Sequence, residues 1–275
     1  MVLDNYNEGD VIKDFFICID KIKKITKYGD MYLDISLRNK DGVVKGKVWE
    51  NADYFSEKFE VGCAVAIKGR IVKYKNIKEL NIAYINEVKN DMYGDYGYKE
   101  KLLVPEVSVS VNKLYDFIIN SIASLDNPYK KLLFKIYKNN SECIKSIPSM
   151  KSSYNLKGGY VQKTSNILIL YNKIDSKGPF DRNMLISLIL IKEIGYIDYY
   201  NDDLYFSISD RGQKFEVQQL SYDIILNNIN TYDKFPLSVK DFFQSVLIGG
   251  KMHFEYVEYV NHLYAIDELI HVHSK

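Results

Sequence analysis

Imidazole is the side chain best suited to holding a divalent ion at a hydrolytic centre, and this chain has little of it. Its four histidines, His253, His262, His271 and His273, all fall near the C-terminal end. His262 and His271 are nine residues apart, whereas a helix presents two imidazoles to one ion at a spacing of three or four. His271 and His273 belong to a terminus that is expected to fray. His253 precedes Phe254 in a tyrosine-rich amphipathic stretch. All four read as packing or surface groups. Cys18, Cys63 and Cys143 are widely separated and in no CxxC spacing. That argues against a zinc ribbon and against a disulfide framework, and for thiols in a reducing, cytoplasmic compartment. No metal site and no cofactor are predicted.

Cations and aromatic rings on a period of two are better represented. In the stretch from Tyr32 to Arg38, Leu33, Ile35 and Leu37 share one face, so Tyr32 and Arg38 point the other way. Asn39-Lys40-Asp41-Gly42 reads as a hairpin turn, because Gly supplies the positive φ such loops need. On the return, Val44, Gly46 and Val48 point inward and leave Lys45, Lys47 and Trp49 outside. A later strand adds Lys68 and Arg70, and the loop after it is Lys73-Tyr74-Lys75-Asn76-Ile77-Lys78. From Lys68 through Lys78 there are five cations and no acid. Cations follow a phosphate backbone and rings stack on bases without reading them. The predicted surface is therefore Tyr32, Arg38, Lys45, Lys47, Trp49, Lys68, Arg70, Tyr74, Lys75 and Lys78. Its predicted ligand is single-stranded RNA or DNA, bound with weak sequence preference. The competing view makes the lysines edge protection and the tryptophan rim packing.

The elements that must position this set are strands over residues 10–89. Val11 to Ile25 alternates in part, with Phe15, Ile17 and Ile19 expected on one face. Three strands, a short helix near Asn51–Phe55 and two further strands follow the order of an OB-fold, a five-stranded Greek-key barrel. The 275 residues suit two domains, and 47% apolar content suffices for packed cores. A net charge of +1 means that any attraction to nucleic acid must be local. No apolar run is long enough to span a membrane, and the N-terminus does not read as a secretory signal. Residues 1–89 are assigned to the barrel, 90–104 to a polar linker and 105–275 to a helical domain, giving an α+β fold. Beyond the linker the apolar period changes to that of a helix. Helices are expected around Leu114–Leu125, from Leu132, and at about 160–174, 182–194, 213–229, 238–248 and 252–270. A winged-helix-like unit over 185–215 is a second arrangement.

The order of features resembles the YhaM-type 3′–5′ exoribonucleases, an OB-fold followed by an HD-type metal phosphohydrolase domain. Gly9-Asp10-Val11, Tyr32-Leu33-Asp34-Ile35 and Lys45-Gly46-Lys47-Val48-Trp49 are similar to the family's front half. Asp126-Asn127-Pro128, Gly158-Gly159 with Thr164, and Ser209-Asp210-Arg211-Gly212 are similar to parts of its rear half. The departures fall on the family's chemical positions. Ser153-Tyr154 stands for its His-His pair, Lys163 for a further His, Lys192-Glu193 for its His-Asp pair, and Ile248-Gly249-Gly250 for a later His-His-Gly. Asp267 matches a late Asp. The resemblance thus implies a single-strand binder whose HD-like domain does not cleave. That domain would instead be a scaffold, a homo-oligomer surface or a docking site for a protein partner. Two alternatives stay open. One is an active exonuclease using Mn²⁺ or Mg²⁺ at Glu193, Asp210, Asp223 or Asp267. The other is a protein-interaction module.

Overall fold

The computed structural model describes residues 3, 4, 6–150, 153–174 and 178–272, with side chains at 90, 91, 271 and 272 left aside. Ser152, the His271 side chain and His273 lie outside the described residues. The fold is α+β: a closed five-stranded barrel followed by a helical region.

The strands are β1 (Val11–Ile25), β2 (Met31–Asn39), β3 (Gly42–Val48), β4 (Ala64–Tyr74) and β5 (Ile77–Glu87), with α1 (Ala52–Ser56) between β3 and β4. Their order around the barrel is β1-β2-β3-β5-β4. β1 is long because it serves two neighbours. Its first half pairs with β4, its second half pairs with β2, and a register shift between Cys18 and Asp20 turns the corner. Closure comes from the parallel pairing of β3 with β5, Gly46 opposite Leu80 and Lys47 opposite Asn81.

The interior is filled by Leu33, Ile35, Leu37, Val44 and Val48, as the alternation predicts, together with Val65, Ile67, Ile71, Leu80, Ile82 and Ile85. In β1 the expected face is reversed. Ile12, Phe16 and Cys18 fill the barrel, while Phe15, Ile17 and Ile19 face outward. The reason is a second apolar cluster on the barrel's outside. There Ile17 and Ala64 are covered by Leu103 and Val104, with Tyr98, Leu204, Tyr205 and Phe206 packed around them. Residues 90–104 carry two short 3₁₀ turns, Asn90–Tyr96 and Glu100–Leu102. The first compact unit spans Met1–Pro105 and takes in Asp203–Ser207 as well. Asp203 shapes that last piece: its carboxylate accepts from the backbone N–H of Tyr205 at 3.2 Å and of Ser207 at 3.0 Å. The piece is a turn, and Phe206 has a φ of 53°.

The second unit, Glu106–Asp202 with Ile208–Lys275, is helical. It holds α2 (Val111–Ala123), α3 (Tyr129–Asn139), α4 (Ser141–Ser146), α5 (Gly159–Ile174), α6 (Arg182–Ile191), α7 (Tyr196–Tyr199), α8 (Val217–Ile229), α9 (Leu237–Gln244) and α10 (Phe254–Val272), with a π turn over Ser245–Gly249. Side chains start several of these helices. Asp181 accepts from the Met184 N–H at 2.9 Å, and Glu216 and Gln219 form a reciprocal capping box. α6 is buried along most of its length, from Leu185 to Ile191, and is the centre of the core. Two glycines are demanded by close backbone approach. A Cβ on Gly159 would lie 1.8 Å from the Tyr154 carbonyl oxygen, and one on Gly195 would lie 2.1 Å from that of Val217.

Candidate nucleic-acid interface

The strand pairings place the outward-facing side chains in rows that run across the barrel. One row reads Asp34, Lys47, Asn81, Arg70 and Val11, passing through β2, β3, β5, β4 and β1. Beside it, Tyr32 and Trp49 stack with ring centroids 4.5 Å apart and planes 25° from parallel. Trp49 keeps 45% of its surface exposed. Further along, Lys68 stands directly opposite Lys13. Like charges opposed across strands are destabilising on their own, and an anion between them relieves the repulsion.

The predicted cations do not all remain available. Lys47 is ion-paired with Glu79 and lies 5.6 Å from the centre of the Tyr74 ring. Lys45 donates to the Ser36 hydroxyl at 2.6 Å. Lys78 turns away to tie down the N-terminal segment, donating to the carbonyls of Leu3 at 3.1 Å and Tyr6 at 2.6 Å. Lys75 lies 5.5 Å from the ring of Tyr74, which is 58% exposed. Arg38 is exposed beside the β2–β3 turn, opposite Val43, six residues along the strand from Tyr32. That is a separation of roughly 20 Å. Lys68 and Arg70 are exposed and make no hydrogen bond or ion pair with the described residues. The structure thus gathers Tyr32, Lys45, Lys47, Trp49, Lys68, Arg70, Tyr74 and Lys75 on connected outer strands. It leaves Arg38 at the far end and holds Lys78, which lines a cleft with Lys45, against the N-terminal segment.

Two residues beside this set escape the sequence reading. Asn81 points outward between Leu80 and Ile82, and Glu50 follows Trp49; both are exposed. They line a cleft of about 280 Å³ with Trp49, Lys68 and Arg70. The alternation in β5 was the available signal for Asn81. Its nearness to Lys47 comes only from the parallel closure of the barrel.

The helical unit brings together the positions that depart from the exoribonuclease pattern. Lys163, buried to 1% exposure, donates to both carboxylate oxygens of Glu193 at 2.7 Å. Its ammonium lies 4.4 Å from the centre of the Tyr264 ring, and that of Lys192 lies 4.7 Å from the same ring. Lys192 also bonds Asn261. Tyr154 donates to Asp267 at 2.7 Å and accepts from Asn166 at 2.9 Å. Burial pushes the Tyr264 hydroxyl well above the usual tyrosine range, and the nearby Glu193 carboxylate adds to the shift. Among the described residues no group of three or more His, Cys, Asp or Glu side chains could hold a metal ion. Asp223 is paired with Arg211 at 2.6 Å, and Asp210 is exposed. Of the histidines, His253 packs edge-on against Phe242 and Tyr256, and His262 is exposed. The three thiols are free; burial raises those of Cys18 and Cys143 to about 11. No helix among the described residues is long and apolar enough to cross a membrane.

No family model matches the chain, and no curated protein does. Several solved structures are similar to part of the chain. One is a replication protein A heterotrimer bound to ssDNA, 14% identical, covering 34% of this chain and 66% of that one at a TM-score of 0.27. Another is the second OB-fold domain of replication protein A from Methanococcus maripaludis, 15% identical, covering 30% and 87% at 0.25. A third is the mitochondrial single-stranded DNA-binding protein Rim1 from S. cerevisiae, 16% identical, covering 30% and 98% at 0.26. Likeness at this level carries no argument about ligand.

Proposed function

We propose that the chain binds single-stranded RNA or DNA on the outer face of its barrel. The carrying observation is the stacked Tyr32–Trp49 pair, half exposed and flanked across the strands by Lys68 and Arg70. The rings offer a platform for bases, and the cations beside it offer phosphate contacts. The opposed Lys13 and Lys68 suit a polyanion better than they suit water. Fluorescent oligo(dT) and oligo(U), titrated at 50 and 200 mM salt as rough working values, test this reading, since phosphate contacts weaken with salt. Lys68→Glu with Arg70→Glu is expected to abolish binding. Trp49→Ala is expected to weaken it at both salts by about 1–3 kcal/mol. Unchanged binding by these variants sinks the proposal.

The helical unit belongs to the same reading as a body that does not hydrolyse, a degenerate relative of HD phosphohydrolases. The support is that Tyr154, Lys163, Glu193 and Asp267 already satisfy one another in two buried bonded groups. An ammonium at 2.7 Å from both Glu193 oxygens uses the carboxylate that a cation would need. End-labelled RNA incubated with Mn²⁺ or Mg²⁺ should stay full length. Stepwise shortening, lost on Asp267→Asn, would instead identify an active nuclease.

A further inference from the structure

The cleft beside Trp49 combines groups that a phosphate track does not need. Its volume, about 280 Å³, falls below the roughly 300–1,000 Å³ typical of sites for larger ligands. Trp49 forms one wall, with Tyr32 stacked on one of its two faces. Gly69 lies in the lining where the barrel strands bulge; a Cβ there would come within 2.9 Å of the Asn81 carbonyl oxygen. Around it stand Glu50, Lys68, Arg70 and Asn81, all exposed, none with a side-chain hydrogen bond or ion pair to the described residues. Lys47, Lys45, Asp34 and Glu79 on the neighbouring strands are each bonded to a protein partner. The cleft thus brings together four polar side chains that are free to meet a ligand.

Glu50 is the informative member. A carboxylate on a surface that binds phosphate lowers affinity for the backbone, so it contributes only where it meets hydrogen-bond donors. Ionised, it is acceptor-only and takes two parallel N–H bonds. Arg70 and Lys68 are donor-only, and Asn81 is both. A ligand matching this set must be flat, to lie against Trp49, and must offer paired donors on one edge and acceptors on another. Guanine has N1–H and N2–H₂ side by side, with O6 and N7 as acceptors. Cytosine and adenine offer a single exocyclic amine, and uracil and thymine a single ring N–H.

We propose that this cleft is a pocket for one guanine base, which continues the Tyr32–Trp49 stack and presents its N1–H and N2–H₂ to Glu50 and its O6 and N7 to Arg70 and Asn81. The proposal rests on the reading of the barrel face as a single-strand surface, and adds one selective position to an otherwise indifferent track.

Trp49 is the single tryptophan of the chain, so its fluorescence reports on the pocket directly. The full chain is titrated with nine-residue oligothymidylates whose central base is guanine, hypoxanthine, adenine or cytosine, and separately with GMP and AMP. The guanine oligomer is expected to quench Trp49 and to bind about tenfold more tightly than the adenine and cytosine ones. Hypoxanthine, which lacks the 2-amino group, should fall between. Glu50→Gln should lower the guanine-to-adenine ratio severalfold, leaving the part set by Arg70 and Asn81, an effect that a merely structural role would not produce. Equal affinity for all four oligomers, or a guanine preference unchanged by Glu50→Gln, overturns the pocket. If no oligomer binds but GMP quenches better than AMP, the pocket stands and the single-strand reading fails. If neither oligomers nor mononucleotides quench, both fall.

Discussion

Lys163 and Glu193 form a buried ion pair whose partners reach it from α5 and from the end of α6. Lys163 is almost wholly enclosed while Glu193 keeps about a tenth of its surface, and Ser149 adds a hydroxyl at 3.4 Å from each. Removing one partner strands the other. Lys163→Met or Glu193→Gln is therefore expected to destabilise the helical unit by about 3–5 kcal/mol, read as a shift of its urea midpoint. Replacing both with apolar residues of similar volume should restore much of the loss, because the desolvation of two ions is then avoided. If each single variant is as stable as the native chain, the pair contributes little. A residue such as Lys163 is legible in sequence as a departure from a pattern. Its ion pairing with Glu193 is not, since 30 positions separate the two.

Helix α6 and the tyrosines around it set the behaviour of the second unit as an element. Tyr137 and Tyr160 share a hydrogen bond of 2.9 Å between their hydroxyls, and both reach the Leu190 carbonyl. Tyr196 stacks on Tyr200, and burial pushes its hydroxyl up to about 12. An unfolded tyrosine releases its proton near pH 10, about two units earlier. Above pH 10 the unfolded chain therefore binds fewer protons than the native one, and stability falls as pH rises. The urea midpoint should begin to fall above about pH 8.5, as unfolded thiols ionise before the buried Cys18 and Cys143, and fall more steeply from pH 10 to 12, with a shallower drop over that second range in Tyr196→Phe. A midpoint level through pH 12 would contradict the burial of these hydroxyls. Most elements were readable from period and turn chemistry: the β2–β3 hairpin, the inward Leu33, Ile35 and Leu37, and the later helices. What sequence could not show was set by long-range closure. The β3–β5 pairing brings Asn81 to Lys47, and the outer cluster reverses the face of β1. α4 is only six residues long and leaves little periodic signal.

At the scale of the whole chain, the barrel unit is built from two separated stretches of sequence. Ile17 and Ala64 are buried beneath residues 98–104 and 204–206, so a fragment ending at residue 89 would expose both. Burying an isoleucine such as Ile17 stabilises by roughly 1.5–3 kcal/mol, and the single methyl of Ala64 by less. A fragment of residues 1–89 should therefore bind a hydrophobic dye and unfold at lower urea than the barrel within the full chain. In the full chain, Leu204→Ser with Tyr205→Ser should weaken the barrel in the same direction. Equal stability in both comparisons would show that the outer cluster is dispensable.

The same arrangement has a consequence for how the polypeptide is made. Synthesis runs at about 5–20 residues per second, and front domains ordinarily mature while the rest is still being added. Here the strands and residues 98–104 emerge first, but the last part of their outer apolar cluster waits for Asp203–Ser207 to leave the ribosome. For that interval the nascent barrel carries a sticky flank, and a message that stalls before codon 203 yields a product prone to aggregate rather than a usable half.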